Sequence, residues 1–202
     1  MLKFTLSLIL LATTTTSISA TFEEDLVAAA LERTRHNIRY DGSYISIAYP
    51  GGDVPDHMGV CTDVIIRTYR ALGTDLQQLI HEDMVANFKA YPSQRLWGLT
   101  NPDSNIDHRR VPNLQVFFER NAIQLPVSHD AGDYKPGDIV TWLLPGNLPH
   151  IGIVTDKLST QTGLPLIVHN IGSGPMIEDM LFHYQITAHY HYLPQNTKAD
   201  ID

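Results

Sequence analysis

The stretch that decides the fold is DYKPGDIVTWLLPGNLPHIGIVTDK, Asp133 to Lys157. Asp138-Ile139-Val140-Thr141-Trp142-Leu143 is a short β-branched and aromatic run that reads as a strand. Pro145-Gly146-Asn147 is a hairpin-type turn, and His150 to Thr155, HIGIVT, reads as the returning strand. Two more strands are expected downstream, Leu164 to Asn170 (LPLIVHN) and Ala188 to Pro194 (AHYHYLP). Upstream the period is helical. Phe22, Leu26, Ala29, Ala30 and Leu31 give an apolar face that predicts a helix over Thr21 to Arg39, with Glu23, Glu24 and Asp25 in its first turn. A second helix is expected from Leu76 to Ala90, stopped by Pro92, and a third from Leu114 to Asn121. A short strand is expected at Tyr44 to Ala48, and TNPDSNIDHRRVPN reads as a polar loop. Helices first and an antiparallel meander after them predict an α+β fold.

Between these helices lies GVCTDVIIRTYRALG, Gly59 to Gly73. Val64, Ile65, Thr68, Tyr69 and Leu72 recur with helical spacing, and Gly73 suits a C-cap, so Cys61 falls at or near a helix N-terminus. It is the only cysteine in the chain. The unpaired backbone N–H groups at a helix start lower a thiol's pKa, which is the usual setting of an activated cysteine; the bland alternative is a buried, inert thiol. A cysteine nucleophile needs a base, and the base needs an orienting group. With ten histidines in the chain, only position can choose among them. His150 opens the returning strand. His169 ends the next one, so two neighbouring antiparallel strands can set the two rings side by side. Asn170 is the competing orienter. Strand alternation points it away from the face that carries His169, so only one of the two can serve.

The 202 residues, 43% of them hydrophobic, suffice for one core, and a single domain is expected over residues 21–202. The net charge is −8, with no basic run, which argues against nucleic acid and against adhesion to an anionic membrane. Residues 1–20, MLKFTLSLILLATTTTSISA, carry Lys3, an apolar run from Phe4 to Ala12 and a small-residue end. They read as a secretory signal cleaved after Ala20, the apolar run being too short to span a bilayer. Export to the periplasm or medium is the expectation, with no membrane span after cleavage.

GVCTDVIIRTYR, KPGDIVTW with HIGIV, and IVHN resemble, in that order, the cysteine helix, the Gly-Asp strand, the histidine strand and the third-residue strand of NlpC-type cysteine peptidases. These are papain-like enzymes that cut peptide bonds in bacterial cell-wall stem peptides. AYPGGDVPDHMGVCTDV, NIDHRRVPNL, PGDIV, HIGIV and HNIGSG are similar to the exported bacterial family named domain of unknown function 1287, over roughly Phe22 to Pro194. The resemblance implies a papain-like fold with the cysteine helix packed on a small antiparallel sheet. It implies Cys61 as nucleophile, His150 as general base and His169 as the third polar residue, with no cofactor. A tyrosine about a dozen residues before the cysteine helps bind the oxyanion in NlpC-type enzymes, and Tyr49 stands there. The implied partner is peptidoglycan or its muropeptides, with an inhibitor or immunity protein as a second one. The chain departs from that pattern in having Val60 before the cysteine and Thr62-Asp63 after it. Its cysteine-to-histidine spacing is also long, and the excess holds the segment Leu76 to Asn121, which is expected to shape the substrate groove.

Asp107, Arg109 and Arg110, in NIDHRRV, are candidates to grip substrate carboxylates, with a structural ion-pair cluster as the alternative. His81 to Asp83 (HED) cannot share one helix face, which argues against a metal there. His189 and His191 (HYH) share a strand face, but the sequence shows no carboxylate to complete a metal set. A lipid acyl hydrolase or acyltransferase on the same triad, or a periplasmic binding module that has lost catalysis, remains as an alternative function.

Overall fold

The computed structural model describes residues 20–194, so the expected leader lies, but for Ala20, outside the described residues. Helix α1 (Phe22–Arg33) starts at Thr21, whose hydroxyl accepts from Glu24 N while the Glu24 carboxylate accepts from Thr21 N at 3.0 Å. This reciprocal cap satisfies two otherwise orphaned donors. The helix ends six residues before the expected Arg39, because the Thr34 hydroxyl turns back onto Leu31 O at 2.7 Å. Strand β1 (Arg39–Tyr40) pairs in parallel with β2 (Met58–Gly59). The strand expected at Tyr44 to Ala48 is not formed. Ile47 N donates to the Asn105 side chain instead of to a neighbouring strand.

Helix α2 (Cys61–Ala71) begins at the cysteine itself. Helix α3 (Leu76–Asn87) tightens into a 3-10 turn over Phe88–Ala90 and so ends short of the expected Ala90. A short helix α4 (Ser93–Trp97), which no sequence pattern announced, follows Pro92. Helix α5 (Val111–Asn121) starts earlier than expected because Pro112 fits a helix's first turn.

The strands are β3 (Ile123–Leu125), β4 (Ile139–Leu144), β5 (Leu148–Leu158), β6 (Pro165–His169), β7 (Met176–Glu178) and β8 (Gln185–His191). They form one antiparallel six-stranded sheet in the order β3-β8-β4-β5-β6-β7. The protein is thus a mixed α+β fold. From β4 to β6 it is the expected meander, which β7, a strand not expected from the sequence, extends. β8 leaves that order and returns to the far side of β4, where β3 extends the sheet. The β4–β5 hairpin closes through Gly146 and Asn147, both at positive φ (80° and 59°), the left-handed pair that such a turn needs.

Strand register sorts the side chains onto two faces. Ile139, Ile151, Ile153 and Val168 pack with Cys61, Ile65, Tyr69, Phe118 and Tyr190 under the helices. Val140, Trp142, Val154 and Ile167 pack on the other side with Tyr134, Met180 and Leu181. A sheet covered on both faces explains why Ile139 to Leu144 is a continuous apolar run rather than an alternating one. Among the described residues no helix is long and apolar enough to cross a membrane.

Gly152, in the middle of β5, permits the close approach of β6. A Cβ there would lie 2.7 Å from Ile167 Cγ2 and 3.0 Å from Val168 O. Gly152→Ala is expected to destabilise the fold by about 1–3 kcal/mol through overpacking. Urea unfolding measures it, and an unchanged midpoint would contradict the close approach.

Candidate active site

Helix α2 is held at its start by a carboxylate rather than by a capping hydroxyl. Val60, at the cap, has no polar side chain, and Asp63 supplies what it lacks: Asp63 Oδ2 accepts from Val60 N at 2.6 Å. The same carboxylate receives Arg109 Nε at 2.9 Å and Nη2 at 3.0 Å. Thr62 Oγ1 adds a bond to Arg109 O at 3.1 Å. Cys61 therefore stands on a helix end fastened from two sides.

Strands β5 and β6 are paired at Leu158–Pro165 and, across a register shift, at Val154–Ile167 and Ile153–Val168, where the ladder stops. Beyond this point the Ile151 N–H faces the Cys61 sulfur. His150, one residue back along β5, shares its sheet face with Trp142, its partner in the register. His150 Nε2 meets His169 Nδ1 at 3.1 Å, with the two rings edge-on at 88°. Glu178 Oε2, on β7, lies 2.9 Å from His169 Nε2, an ion-pair contact that is off the ring's N–H line. Between His169 and Asn170, then, His169 is the residue that reaches His150. Asn170 instead donates to Gly59 O at 3.4 Å and accepts from Gly172 N at 3.0 Å, closing the turn after β6.

The Glu178 carboxylate favours one tautomer. It can only accept, so a proton on His169 Nε2 is favoured beside it, though out of line for a hydrogen bond, and Nδ1 then presents a lone pair to His150. In that tautomer His150 donates from Nε2, which leaves its Nδ1 as the basic nitrogen. Both imidazoles are buried. Burial, and next the neighbouring His169, push the His150 pKa down to about 3; burial lowers His169 while Glu178 opposes it. Burial also pushes the Cys61 thiol up to about 12, outweighing the backbone N–H of Ile151 that favours the thiolate. The low thiol pKa expected from the helix start is corrected accordingly: desolvation of the sulfur exceeds the pull of the helix end. Cys61 and His150 both rest neutral, and no hydrogen bond joins them.

Other candidates fall elsewhere. The Tyr49 ring packs edge-on against His81 of α3, 4.7 Å between centroids, and its ionisation is disfavoured by burial and then by Glu82 and Asp75. Tyr40, on β1, is the tyrosine that feels the thiol. Its pKa is raised by burial and then by Cys61. The signal missed was its distance in sequence: β1 lies beside β2, which runs straight into α2. Arg109 is not free for substrate. Its side chain is 1% exposed, paired with Asp63, and it also donates to Ser43 O and Asp41 O, both at 3.1 Å. Asp107 is buried, with its carboxylate accepting from Asp103 N, and Arg110 lies 4.1 Å above the Trp97 ring while pairing with Asp107 at 3.2 Å. Arg109 with Asp63 and Arg110 with Asp107 are thus two separate structural ion pairs. His189 and His191 both reach the buried Asp138, at 2.7 and 2.9 Å, a carboxylate contributed by the PGDIV segment from across the sheet. Glu178 and Asp138 both went unread in the sequence, because each meets its histidine only through sheet pairing.

The family described as domain of unknown function (DUF1287) matches residues 27–192, from α1 to the residue after β8. Uncharacterized protein YijF of Escherichia coli (strain K12) is 46% identical over 179 residues, which cover 89% of this chain and 86% of that protein.

Two outcomes follow from the burial of the site. With the thiol pKa raised from its ordinary 9.0 to about 12, the folded protein at pH 8 carries less thiolate than free cysteine. Iodoacetamide should therefore label it more slowly than the urea-unfolded chain, and equal rates would contradict a desolvated sulfur. His150 is held neutral down to about pH 3, against an ordinary 6.5. As pH falls the unfolded state takes up the proton first. The contribution of His150 is thus complete above about pH 6.5 and lost between there and about pH 3. The urea midpoint of His150→Gln should fall less steeply over that interval than that of the wild type.

Proposed function

The chain belongs to the family of domain of unknown function 1287, and on that premise we propose that it is an exported cysteine hydrolase that cleaves an amide bond by acyl transfer. Its α+β fold is read as papain-like, of the NlpC type, with α2 as the cysteine helix on the sheet. The observation that carries the reading is the buried file His150–His169–Glu178, whose first member directly precedes Ile151, the residue whose N–H faces the sulfur of Cys61 at the first residue of a helix. A file of two imidazoles and a carboxylate that leaves one basic nitrogen on His150 suits a general base, and the reading requires the His150 ring to turn from the Trp142 face of the sheet toward the thiol.

In the reaction, His150 Nδ1 takes the thiol proton as Cys61 Sγ bonds to the substrate carbonyl carbon. The imidazolium so formed is stabilised by His169, whose own ring is held by Glu178. The oxyanion is met by the backbone N–H groups at the start of α2, and Tyr40, whose ionisation the thiol disfavours, replaces Tyr49 as the candidate second donor. His150 Nδ1–H then protonates the amine nitrogen, the C–N bond breaks, and a thioester remains. Water gives a proton to the same nitrogen, adds to the thioester carbon, and the C–S bond breaks to return the thiol. Starting from a neutral pair suits this route: proton transfer and attack occur together once substrate reaches the desolvated sulfur. The substrate class proposed is a peptidoglycan stem-peptide or cross-link amide, in keeping with the NlpC-type resemblance and with an exported chain.

One observation favours a second reading, a binding module without catalysis: the thiol is buried, its pKa is high, and His150 spends its hydrogen bond on His169. Incubation of the purified protein with peptidoglycan sacculi, followed by mass spectrometry of the soluble fragments, separates the two. The hydrolase reading expects wild-type fragments with new termini, and a loss of at least about a hundredfold in both Cys61→Ala and His150→Ala, the size of general-base and nucleophile effects. Glu178→Gln, which keeps the side chain's size but not its charge, should cost less. Sacculi left intact by a folded wild type, with binding retained, would support the module instead.

A further inference from the structure

On the side of α2 away from the sheet, three guanidinium groups converge. Arg67 and Arg70 are one helical turn apart on α2, and Arg33 reaches them from the last turn of α1. Together with His36, Asp53 and Asp56 they line a cavity of about 380 Å³. Their charges are unevenly met. Asp53 takes Arg67 through both oxygens, Nε at 2.9 Å and Nη2 at 3.1 Å. The same Asp53 is 3.0 Å from Arg70 Nη1, out of line for a hydrogen bond, while Arg70 Nη2 goes to Gly52 O at 2.9 Å and to Asp75. Arg33 has no carboxylate within ion-pair distance among the described residues, and its Nε is buried without any hydrogen-bond partner; Arg70 Nε is likewise unpartnered.

Buried donors on a charged group are costly to leave unmade. Three like charges around one cavity, with Asp53 shared between two of them, Asp75 meeting Arg70 only at 3.4 Å and Arg33 unmet, describe a site with room for an anion rather than a closed ion-pair network. We propose that this cavity binds an oxyanion, a carboxylate or a phosphate group, bridged between Arg33, Arg67 and Arg70. The guanidinium fork matches either geometry, and Arg33 is the unspent member. Arg33 and Arg67 also line a narrow crevice against Gly59 and Val60, the two residues before Cys61. A ligand anchored by its acid group here would have the rest of its chain beside the start of α2. The binding itself needs no thiol chemistry, so it stands or falls apart from the hydrolase reading.

Calorimetric titration of the full chain with sodium phosphate, and separately with N-acetyl-alanine as a carboxylate, at an ionic strength held constant with chloride, tests the site. Saturable binding of at least one is expected, weakened by about tenfold or more in Arg33→Gln and less in Arg33→Lys, which keeps the charge but not the fork. Arg33 makes no ion pair in the fold, so both variants should melt close to the wild type. Arg35→Gln, on an exposed arginine paired with Glu32, should bind as the wild type does. Binding of phosphate alone would identify a phosphorylated ligand, and of the carboxylate alone an acid or peptide terminus; each supports the site. Heat no different from chloride for both anions, or an Arg33→Gln variant that binds like the wild type, would overturn it.

Discussion

The pairing of Asp63 with Arg109 holds the rest of the site in place. Both side chains are nearly inaccessible, and a buried charge persists only when it is paired and fully hydrogen-bonded. Asp63 meets that condition with two bonds to Arg109 and one to Val60 N, and Arg109 completes its own set with the carbonyls of Asp41 and Ser43. One ion pair thereby joins the loop after β1, the first turn of α2 and the loop before α5. Cys61 gains a fixed position from it, and the long segment between the cysteine and the histidine strand is tied back to the helix that it interrupts. Removing either charge would leave the other buried and alone, so this pair, though distant from any proton transfer, governs where the sulfur sits.

The second constraint is the end of the β5–β6 ladder. Where strand pairing stops, backbone and side-chain groups become available for other partners. The Ile151 N–H turns to the sulfur, and the rings of His150 and His169 meet each other. Gly152 brings β6 close enough for this to happen. The price is a dry site: the same burial that orders the file keeps the thiol protonated and the imidazole neutral. Under the hydrolase proposal, chemistry in such a site would begin from neutral partners, with the file ending in Glu178, its half-exposed member, to take up the charge that develops.

A second cluster of the same composition sits elsewhere on the sheet, with another role. Asp138 takes His189 and His191 at once, and His191 also stands 3.5 Å from Glu23 of α1. These contacts pin the start of β4 to β8 and β8 to the first helix. They account for the Gly-Asp turn and the His-Tyr-His strand in one stroke, as parts of the frame. The arginines divide in the same way. Arg109 is wholly spent on structure, Arg67 and Arg70 are partly spent, and Arg33 is left with capacity for a ligand.

By itself the sequence determined the fold class, the helix that begins at Cys61, the hairpin at Pro145-Gly146-Asn147 and the two histidines at the mouths of adjacent strands. Each of these is local: a period, a cap, a turn residue or a spacing within one hairpin records it directly. Tertiary structure alone decided that His169 rather than Asn170 orients His150, that Glu178 completes the file, that Tyr40 rather than Tyr49 lies by the thiol, and that Arg109 is spent on Asp63. It also decided the state of the thiol. A helix start lowers a cysteine's pKa, but the cost of burying a charge depends on what covers the sulfur, and that cover comes from strands some ninety residues away. Partners brought together by sheet register and helix packing leave no period in the chain, because the distance between them in space is set by the fold and not by their separation along it.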